Sequence, residues 1–233
     1  MTETISDIAA VIPVREGSTR LKEKVMLPFG PGQVTLLEWK ISQVRDVLPP
    51  ERIYVSTDSG RLKDIANSCG VSIHHRDPYL ADGHRATFAE VITGIVKDIP
   101  YSQIAWITVT SPLHTADIYR AAFGAYQNEV LDHKRYDSLI TVNLLKEYFW
   151  NQNGPLNYTA DAHHPPSQLL PAVYRVTNGL YMRDRDSILK SGYFIGTNPL
   201  KFEVDKIGGV DIDTEEDYRI AKALFPIQVG AGQ

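Results

Sequence analysis

The sequence has little of what a disulfide-stapled, membrane-spanning or duplex-binding protein needs. It holds one cysteine, Cys69, so no intrachain disulfide can form. That residue reads as a small buried apolar side chain in a reducing compartment. No apolar run approaches the ~18 residues of a membrane helix. The N-terminal Met-Thr-Glu-Thr-Ile-Ser-Asp carries acids and no basic stretch, which is not the pattern of a secretory leader. Lys plus Arg number 24 against 28 Asp plus Glu, and a net charge of −4 is a poor footprint for duplex nucleic acid. These absences predict a cytoplasmic protein with neither membrane nor nucleic-acid partners. The Walker A loop G-x-x-x-x-G-K-[ST], the dinucleotide fingerprint G-x-G-x-x-G and the hydrolase elbow G-x-S-x-G are missing too. The seven histidines show no zinc spacing and are expected mostly at the surface. Trp39, Trp106 and Trp150 form no stripe and are expected in the core.

What is present is an ordinary globular composition, 43% hydrophobic and 22% charged over 233 residues, enough for a single domain spanning 1–233. Ile8–Val14 is a continuous apolar run that ends in a glycine-containing loop, as a buried parallel strand does. Leu37, Ile41, Val44 and Leu48 then recur at helical spacing until Pro49-Pro50 stops them. Strands follow at 52–58, 71–75, 104–109 and 138–143. Helices fit 60–68, the face Phe88/Val91/Ile92/Ile95/Ile99, and 117–130 with Ile118, Ala121, Ala122 and Ala125 inward. This alternation predicts an α/β fold: a doubly wound, mostly parallel sheet with helices on both faces. The rhythm breaks at 144. Residues 151–171 are rich in Asn, Pro, His and Gln, and so long an irregular stretch reads as a lid or as an arm for a partner subunit. Pieces at 173–176 and 180–182, a helix near 185–191, a last strand ending in Val210–Asp213 and a helix over 215–224 complete the pattern, with 226–233 expected to fray.

Two constellations carry chemistry. In open α/β sheets ligands bind beyond the carboxyl ends of the strands. The loop after the first strand holds Arg15, Gly17, Ser18, Arg20, Lys22 and Lys24. Glycine lets amides turn toward an anion, arginine grips phosphate in two places, and several cations match a nucleoside triphosphate better than one lysine would. Far along the chain, Asp211 and Asp213 are two apart in an expected strand end, hence on one face. Mg²⁺ or Mn²⁺ held by two carboxylates together with substrate phosphate oxygens is chemically coherent there. Thr214-x-x-Asp217 also resembles a helix capping box, and the two roles are compatible.

With these pieces in order, nearly the whole chain resembles the cytidylyltransferases that activate acidic sugars, the CMP-acylneuraminate synthetases above all. The resemblance rests on Val11–Arg20 with Lys24, Arg52–Asp58, Arg76 with Leu80-Ala81, Thr110-Ser-Pro-Leu113, Arg175 ahead of Asn178-Gly179, and Asp211–Asp217. It implies a Rossmann-like nucleotidyltransferase fold with an inserted dimerisation arm at about 145–180, and a homodimer. It implies that Arg15, Ser18, Arg20 and Lys24 meet the triphosphate, with Arg15, Lys24 and Asp211 closest to the reaction. It places Arg76 and Thr87 at the cytidine and Asp211 and Asp213 at the metal. Thr108, Ser111, Arg175, Tyr181, Tyr193 and Phe194 fall on the acceptor side. The implied reaction is transfer of CMP from CTP to an acidic keto-sugar of the nonulosonate kind, with release of pyrophosphate. Four positions depart from the usual pattern. Val25 stands where asparagine is common, Thr108 where glutamine is, Ser167 where sialate enzymes carry arginine, and Asp82 follows Ala81 directly. Most of these fall on the acceptor side and point away from N-acetylneuraminate itself. Two other readings share parts of the pattern. One is a nucleotide-sugar glycosyltransferase, which also uses Asp-x-Asp. The other is a nucleotide-binding regulator without turnover.

Overall fold

The computed structural model of the protein describes residues 7–17, 20–82 and 85–230. Seven strands form the central sheet: β1 (Ile8–Pro13), β2 (Ile53–Thr57), β3 (Ser72–His75), β4 (Gln103–Ile107), β5 (Ser138–Leu145), β6 (Val173–Asp184) and β7 (Pro199–Glu203), in the order β7-β5-β6-β4-β1-β2-β3. Only β6 runs antiparallel to its neighbours; the other pairings are parallel. β1 explains the architecture. Ile8, Ala10 and Ile12 point into one apolar cluster and Ala9 and Val11 into another, so both faces of the strand are covered. Helices α1 (Leu36–Arg45), α2 (Gly60–Ser68) and α4 (Ala116–Tyr126) cover the first face through Leu37, Ile41, Leu62, Tyr119 and Phe123. Helices α3 (Phe88–Val96) and α5 (Arg185–Ser191) cover the second through Ile92, Ile95 and Ile188. A third cluster joins Leu21, Phe29, Leu36 and Leu113 to Ile212, Tyr218 and Ala221, seating the last helix, α6 (Glu215–Gly230), against the loops that follow β1 and β4.

The expected doubly wound, mostly parallel sheet is therefore present. The differences are local and have causes. Val210–Asp213 is not a strand: its recorded backbone bond to the sheet side is Ile212 N to Thr110 O at 2.7 Å, so it is an extended segment lying on the β4 loop. The two pieces at 173–176 and 180–182 are one strand with a bulge between Val176 and Tyr181. Residues 173–180 of the expected insertion thus belong to the sheet. Residues 146–172 carry a small hairpin, Trp150–Asn151 with Gly154–Pro155, and a short turn of helix at Ser167–Leu169. The inward face of α4 is Tyr119, Ala122, Phe123 and Tyr126, with Ala125 packed partly against the same core; Ile118 is half-buried, and Ala121, expected inward, is exposed. Two tyrosines can face inward because their hydroxyls are met by Lys40 Nζ and Gln103 Oε1. Trp150 is 60% exposed and Phe88 57%, so neither is core. The last helix continues through Pro226 to Gly230, where fraying was expected. Among the described residues no helix is long and apolar enough to cross a membrane.

His114, expected at the surface with most of the histidines, is fully buried beneath the β4 loop. Its Nδ1 donates to Gly208 O at 2.6 Å, and Gly179 approaches so closely that a Cβ there would lie 2.3 Å from Nε2. Burial first, and the Lys40 ammonium second, push the imidazole down to about 3. An unfolded histidine binds a proton below about 6.5, whereas this one stays neutral in the fold until far lower. Acid therefore favours the unfolded chain, and stability falls as pH drops from 6.5 toward 3. At pH 5 the loss from this residue is roughly 2 kcal/mol. Urea denaturation at pH 7 and pH 5 should show a drop that is smaller by that amount in His114→Asn, which keeps a donor for Gly208. An equal drop in both proteins would remove the assignment.

Candidate active site

The crevice lies where the strand order reverses, between the carboxyl ends of β1 and β4. β1 delivers the basic loop. Arg15 is half-buried and donates from Nη1 to Ala81 O at 3.3 Å. Lys24 is buried; its Nζ donates to Ile212 O at 2.6 Å and meets Asp213 Oδ1 at 3.1 Å. Arg20, 65% exposed at its side chain, donates from Nη2 to the same Oδ1 at 2.8 Å. The cationic loop and the acidic pair are thus in direct contact although 189 and 193 residues separate the partners in sequence. Ser18 lies outside the described residues. Lys22 is exposed, and Val25 turns inward into the core cluster that also holds Val14 and Leu37.

β4 delivers the opposite wall. Three donors on α1 hold its loop from below: Lys40 Nζ to Ser111 O, and Trp39 Nε1 and Gln43 Nε2 to Pro112 O, at 2.8–2.9 Å. Lys40 is completely buried, and burial drives its ammonium well below the ordinary lysine range. Its place on the inward stripe Leu36–Lys40–Val44 is the sequence signal for such a role. Ser111 is fully buried, with its hydroxyl donated to Thr177 O and its carbonyl taken by Lys40. It serves as part of the loop's foundation. Thr108 is half-buried and donates to Asn178 O at 2.8 Å.

The acidic pair sits across these walls. Asp211 Oδ2 accepts from Asn178 Nδ2 at 2.8 Å, and the Thr110 hydroxyl lies beside the carboxylate. Oδ1 is buried with no hydrogen-bond geometry met among the described residues. Burial foremost, with the Asp213 charge adding to it, raises the Asp211 carboxyl above its ordinary range despite the opposing Thr110 and Asn178 side chains and Lys24. Capping falls to other atoms: Asp217 Oδ2 accepts from Asp213 N, Thr214 N and Thr214 Oγ1, and Thr214 Oγ1 accepts from Asp217 N. Asp211 is left with an unsatisfied buried oxygen and Asp213 with one oxygen engaged by cations. No cluster of three or more His, Cys, Asp or Glu suited to a metal exists among the described residues. Two carboxylates plus phosphate oxygens and water is the donor set Mg²⁺ accepts, so the residues fit a divalent cation that arrives with a nucleotide.

The remaining expected residues fall into three places. Tyr181, Phe194 and Tyr193 form one aromatic wall, Tyr181 to Phe194 at 4.1 Å and Tyr193 to Phe194 at 4.9 Å, with Phe88 and Trp106 adjoining. The Tyr181 hydroxyl donates to Asn178 Oδ1 at 2.6 Å, so this wall is tied to Asp211 through one side chain. Asn178 has φ 59°, a left-handed conformation that asparagine tolerates better than most residues. The Asn-Gly pair between two strand pieces is the sequence signal for this conformation. Arg76 is buried at the edge of the crevice, near Asp58 and Arg15. Burial, only partly offset by Asp58, lowers its guanidinium to about 10. Thr87 is exposed and spent on the reciprocal cap of α3 with Glu90. Arg175 is exposed, with Nη2 donating to Asn143 Oδ1 and Gly209 O.

Comparison with known proteins places the chain in a family and matches its fold to solved structures. The sequence model of the family described as cytidylyltransferase matches residues 9–208. The chain is 25% identical to post-translational flagellin modification protein B of Campylobacter coli, over 95% of this chain and 96% of that protein. It is 24% identical to an N-acylneuraminate cytidylyltransferase of Streptococcus agalactiae serotype III (strain NEM316), over 89% of this chain and 51% of that protein, so it spans about half of that relative. A solved CMP:2-keto-3-deoxy-manno-octonic acid synthetase complexed with CTP superposes with a TM-score of 0.68 at 14% identity, covering 96% of this chain and 100% of that one, and shares the fold.

The buried, unsatisfied Asp211 costs stability when ionised and no cation is near. Because its carboxyl holds a proton more tightly in the fold than unfolded, its contribution becomes unfavourable as pH rises past the raised value. In EDTA at pH 7.5, Asp211→Asn should melt at or above the wild-type temperature by differential scanning calorimetry. A clear drop in melting temperature would contradict the burial argument.

Proposed function

The chain belongs to the cytidylyltransferase family, and from that premise we propose that it transfers CMP from CTP to the anomeric hydroxyl of an acidic keto-sugar, a nonulosonate or a close analogue. The observation that carries this reading is the convergence of Arg20 and Lys24 on Asp213, with Asp211 beside it, at the mouth of the β1/β4 crevice. In the reaction the acceptor hydroxyl releases its proton to water as its oxygen bonds to the α-phosphorus of CTP, the bond from that phosphorus to the bridging oxygen breaks, and pyrophosphate leaves with the electron pair. Arg15, Arg20 and Lys24 neutralise the triphosphate and the charge that builds on the leaving group. Asp211 and Asp213 would hold Mg²⁺ or Mn²⁺, which supplies charge neutralisation and lowers the pKa of a bound hydroxyl. Asn178 and Tyr181 orient the Asp211 carboxylate from the acceptor side. The aromatic wall Tyr181/Tyr193/Phe194 offers apolar surface for the sugar carbons. Arg175 offers a cation for the sugar carboxylate. The acceptor class is supported by the N-acylneuraminate enzyme among the relatives.

We further propose that residues 146–172 are an arm covered by a second copy of the chain. Seven of the twelve exposed large hydrophobic residues among those described lie between Leu144 and Val176, including Trp150, Leu156 and Leu169. A concentration of this kind marks an interaction surface.

Two experiments test these readings. Pyrophosphate release should be seen with CTP, far above UTP, ATP or GTP, in the presence of Mg²⁺ and one of neuraminate, legionaminate, pseudaminate, Kdo or a phosphonate acceptor. EDTA should stop it, and Asp211→Ala should lower kcat at least about a thousandfold, the scale of a lost electrostatic stabiliser. No release with any CTP pair would sink the assignment. Sedimentation velocity should give a dimer for the native chain and a monomer for Leu169→Asp; a native monomer would discard the arm proposal.

A further inference from the structure

One buried titratable group is not used by the chemistry above. His74, on β3, is 7% exposed, and its Nδ1 lies 2.9 Å from Ser56 Oγ. Its Nε2 lies 3.2 Å from Asp98 Oδ2. Serine, histidine and aspartate in one hydrogen-bonded row is the arrangement of a hydrolytic triad. Hydrolysis is excluded here by burial. Ser56 has no exposed surface, and the other contact of its hydroxyl is Arg76 Nε at 3.2 Å, so no ester can reach it.

The direction of the row follows from its ends. An ionised carboxylate only accepts, so His74 carries its proton on Nε2 and presents the bare Nδ1 to Ser56. Ser56 must then donate its hydroxyl proton to Nδ1, which turns an oxygen lone pair toward Arg76 Nε–H. The Ser56 carbonyl accepts from Arg76 Nη2 at 2.5 Å. The guanidinium is therefore held at two points by one residue, and each donor from Arg76 to the carboxylate meets one acceptor. Arg76 needs this restraint. It is buried, and Arg15 repels it while Asp58 attracts it, so without neutral acceptors of fixed direction its fork would follow those charges.

We propose that His74, oriented by Asp98, is a positioning residue that aims the Arg76 guanidinium at the bound nucleotide by fixing which way the Ser56 hydroxyl points. The inference rests on the reading of Arg76 as a nucleotide contact. It assigns His74, Ser56 and Asp98 no contact with substrate. Burial foremost, against the opposing bond to Asp98, lowers the imidazole below the ordinary histidine range, so it is neutral at pH 7 as the row requires.

The test is steady-state kinetics on the full chain with CTP and the best acceptor. His74→Leu should raise the KM for CTP about tenfold, the effect of misdirecting one charge-assisted hydrogen bond. Its kcat should stay within about twofold, and the acceptor KM should not move. His74→Asn places an amide oxygen where Nδ1 stood and should recover most of the loss. In an Arg76→Ala background, His74→Leu should add nothing. Ser56→Ala removes the link with little change of volume and should reproduce the CTP effect, which keeps the test valid if His74→Leu does not fold. An unchanged KM for CTP in both His74→Leu and Ser56→Ala, an equal His74→Leu effect with and without Arg76, or a His74→Asn variant as impaired as His74→Leu would each overturn the proposal. A wild-type chain that fails to bind CTP would instead overturn the nucleotide reading beneath it.

Discussion

Lys24 is a buried cation, and a buried cation must be met by acceptors or its desolvation destabilises the fold. The acceptors come from the other end of the chain, Ile212 O and Asp213 Oδ1. This contact closes the molecule. It holds the segment before α6 against the loop after β1, and the third apolar cluster, with Leu21, Phe29, Ile212 and Tyr218, forms around it. The loop after β1 could not be fixed by its own backbone, because Glu23 and its neighbours form little more than a turn of 3-10 helix. The same bond that organises the fold therefore organises the site. It leaves two cations and two carboxylates close together beside the carboxyl ends of β1 and β4.

The walls of the crevice are held in a different way. The β4 loop rests on Lys40, Trp39 and Gln43, and His114 locks it to the turn at Gly208. Gly179 and Gly209 are positions where a side chain would collide, with His114 and with Asn143 respectively. The bulge in β6 can therefore sit directly on the β4 loop. That close approach brings Asn178 within reach of Asp211 and Thr108 at once. Polar groups buried this deeply are worth their desolvation only when nearly all are satisfied, and here nearly all are. The exceptions among the described residues, which include Asp211 Oδ1, His114 Nε2, Gln43 Oε1 and Arg183 Nε, show how little slack the arrangement has.

The sheet was legible in the sequence because its strands are buried on both faces. Ile8–Pro13 and Gln103–Ile107 read as apolar runs whatever their partners are. The Arg15–Lys24 loop and the Asp211/Asp213 pair stood out because so much charge beside apolar runs has few structural uses. What was not legible depended on tertiary partners. Tyr119 and Tyr126 face inward only because Lys40 and Gln103 wait there. Val210–Asp213 has the alternation of a strand, with Ile212 inward, but no neighbouring strand pairs with it. His74 and His114 carry no local mark of burial, since each finds its hydrogen-bond partner in a group distant in sequence, Asp98 and Gly208.

The departures from the usual family pattern acquire different weights once they are placed. Val25 points into the core with Val14 and Leu37, so an apolar residue there contributes packing beneath the loop after β1. Ser167 begins a short helical turn, Ser167–Leu169, outside the sheet strands. Thr108 is different. Its hydroxyl is spent on Asn178 O, and Asn178 in turn joins Tyr181 to Asp211. Threonine uses its one donor to hold the bulge. Thr108, Tyr181 and Asp211 thus all meet one asparagine, so a change in the position of any of the three is transmitted through Asn178 to the other two.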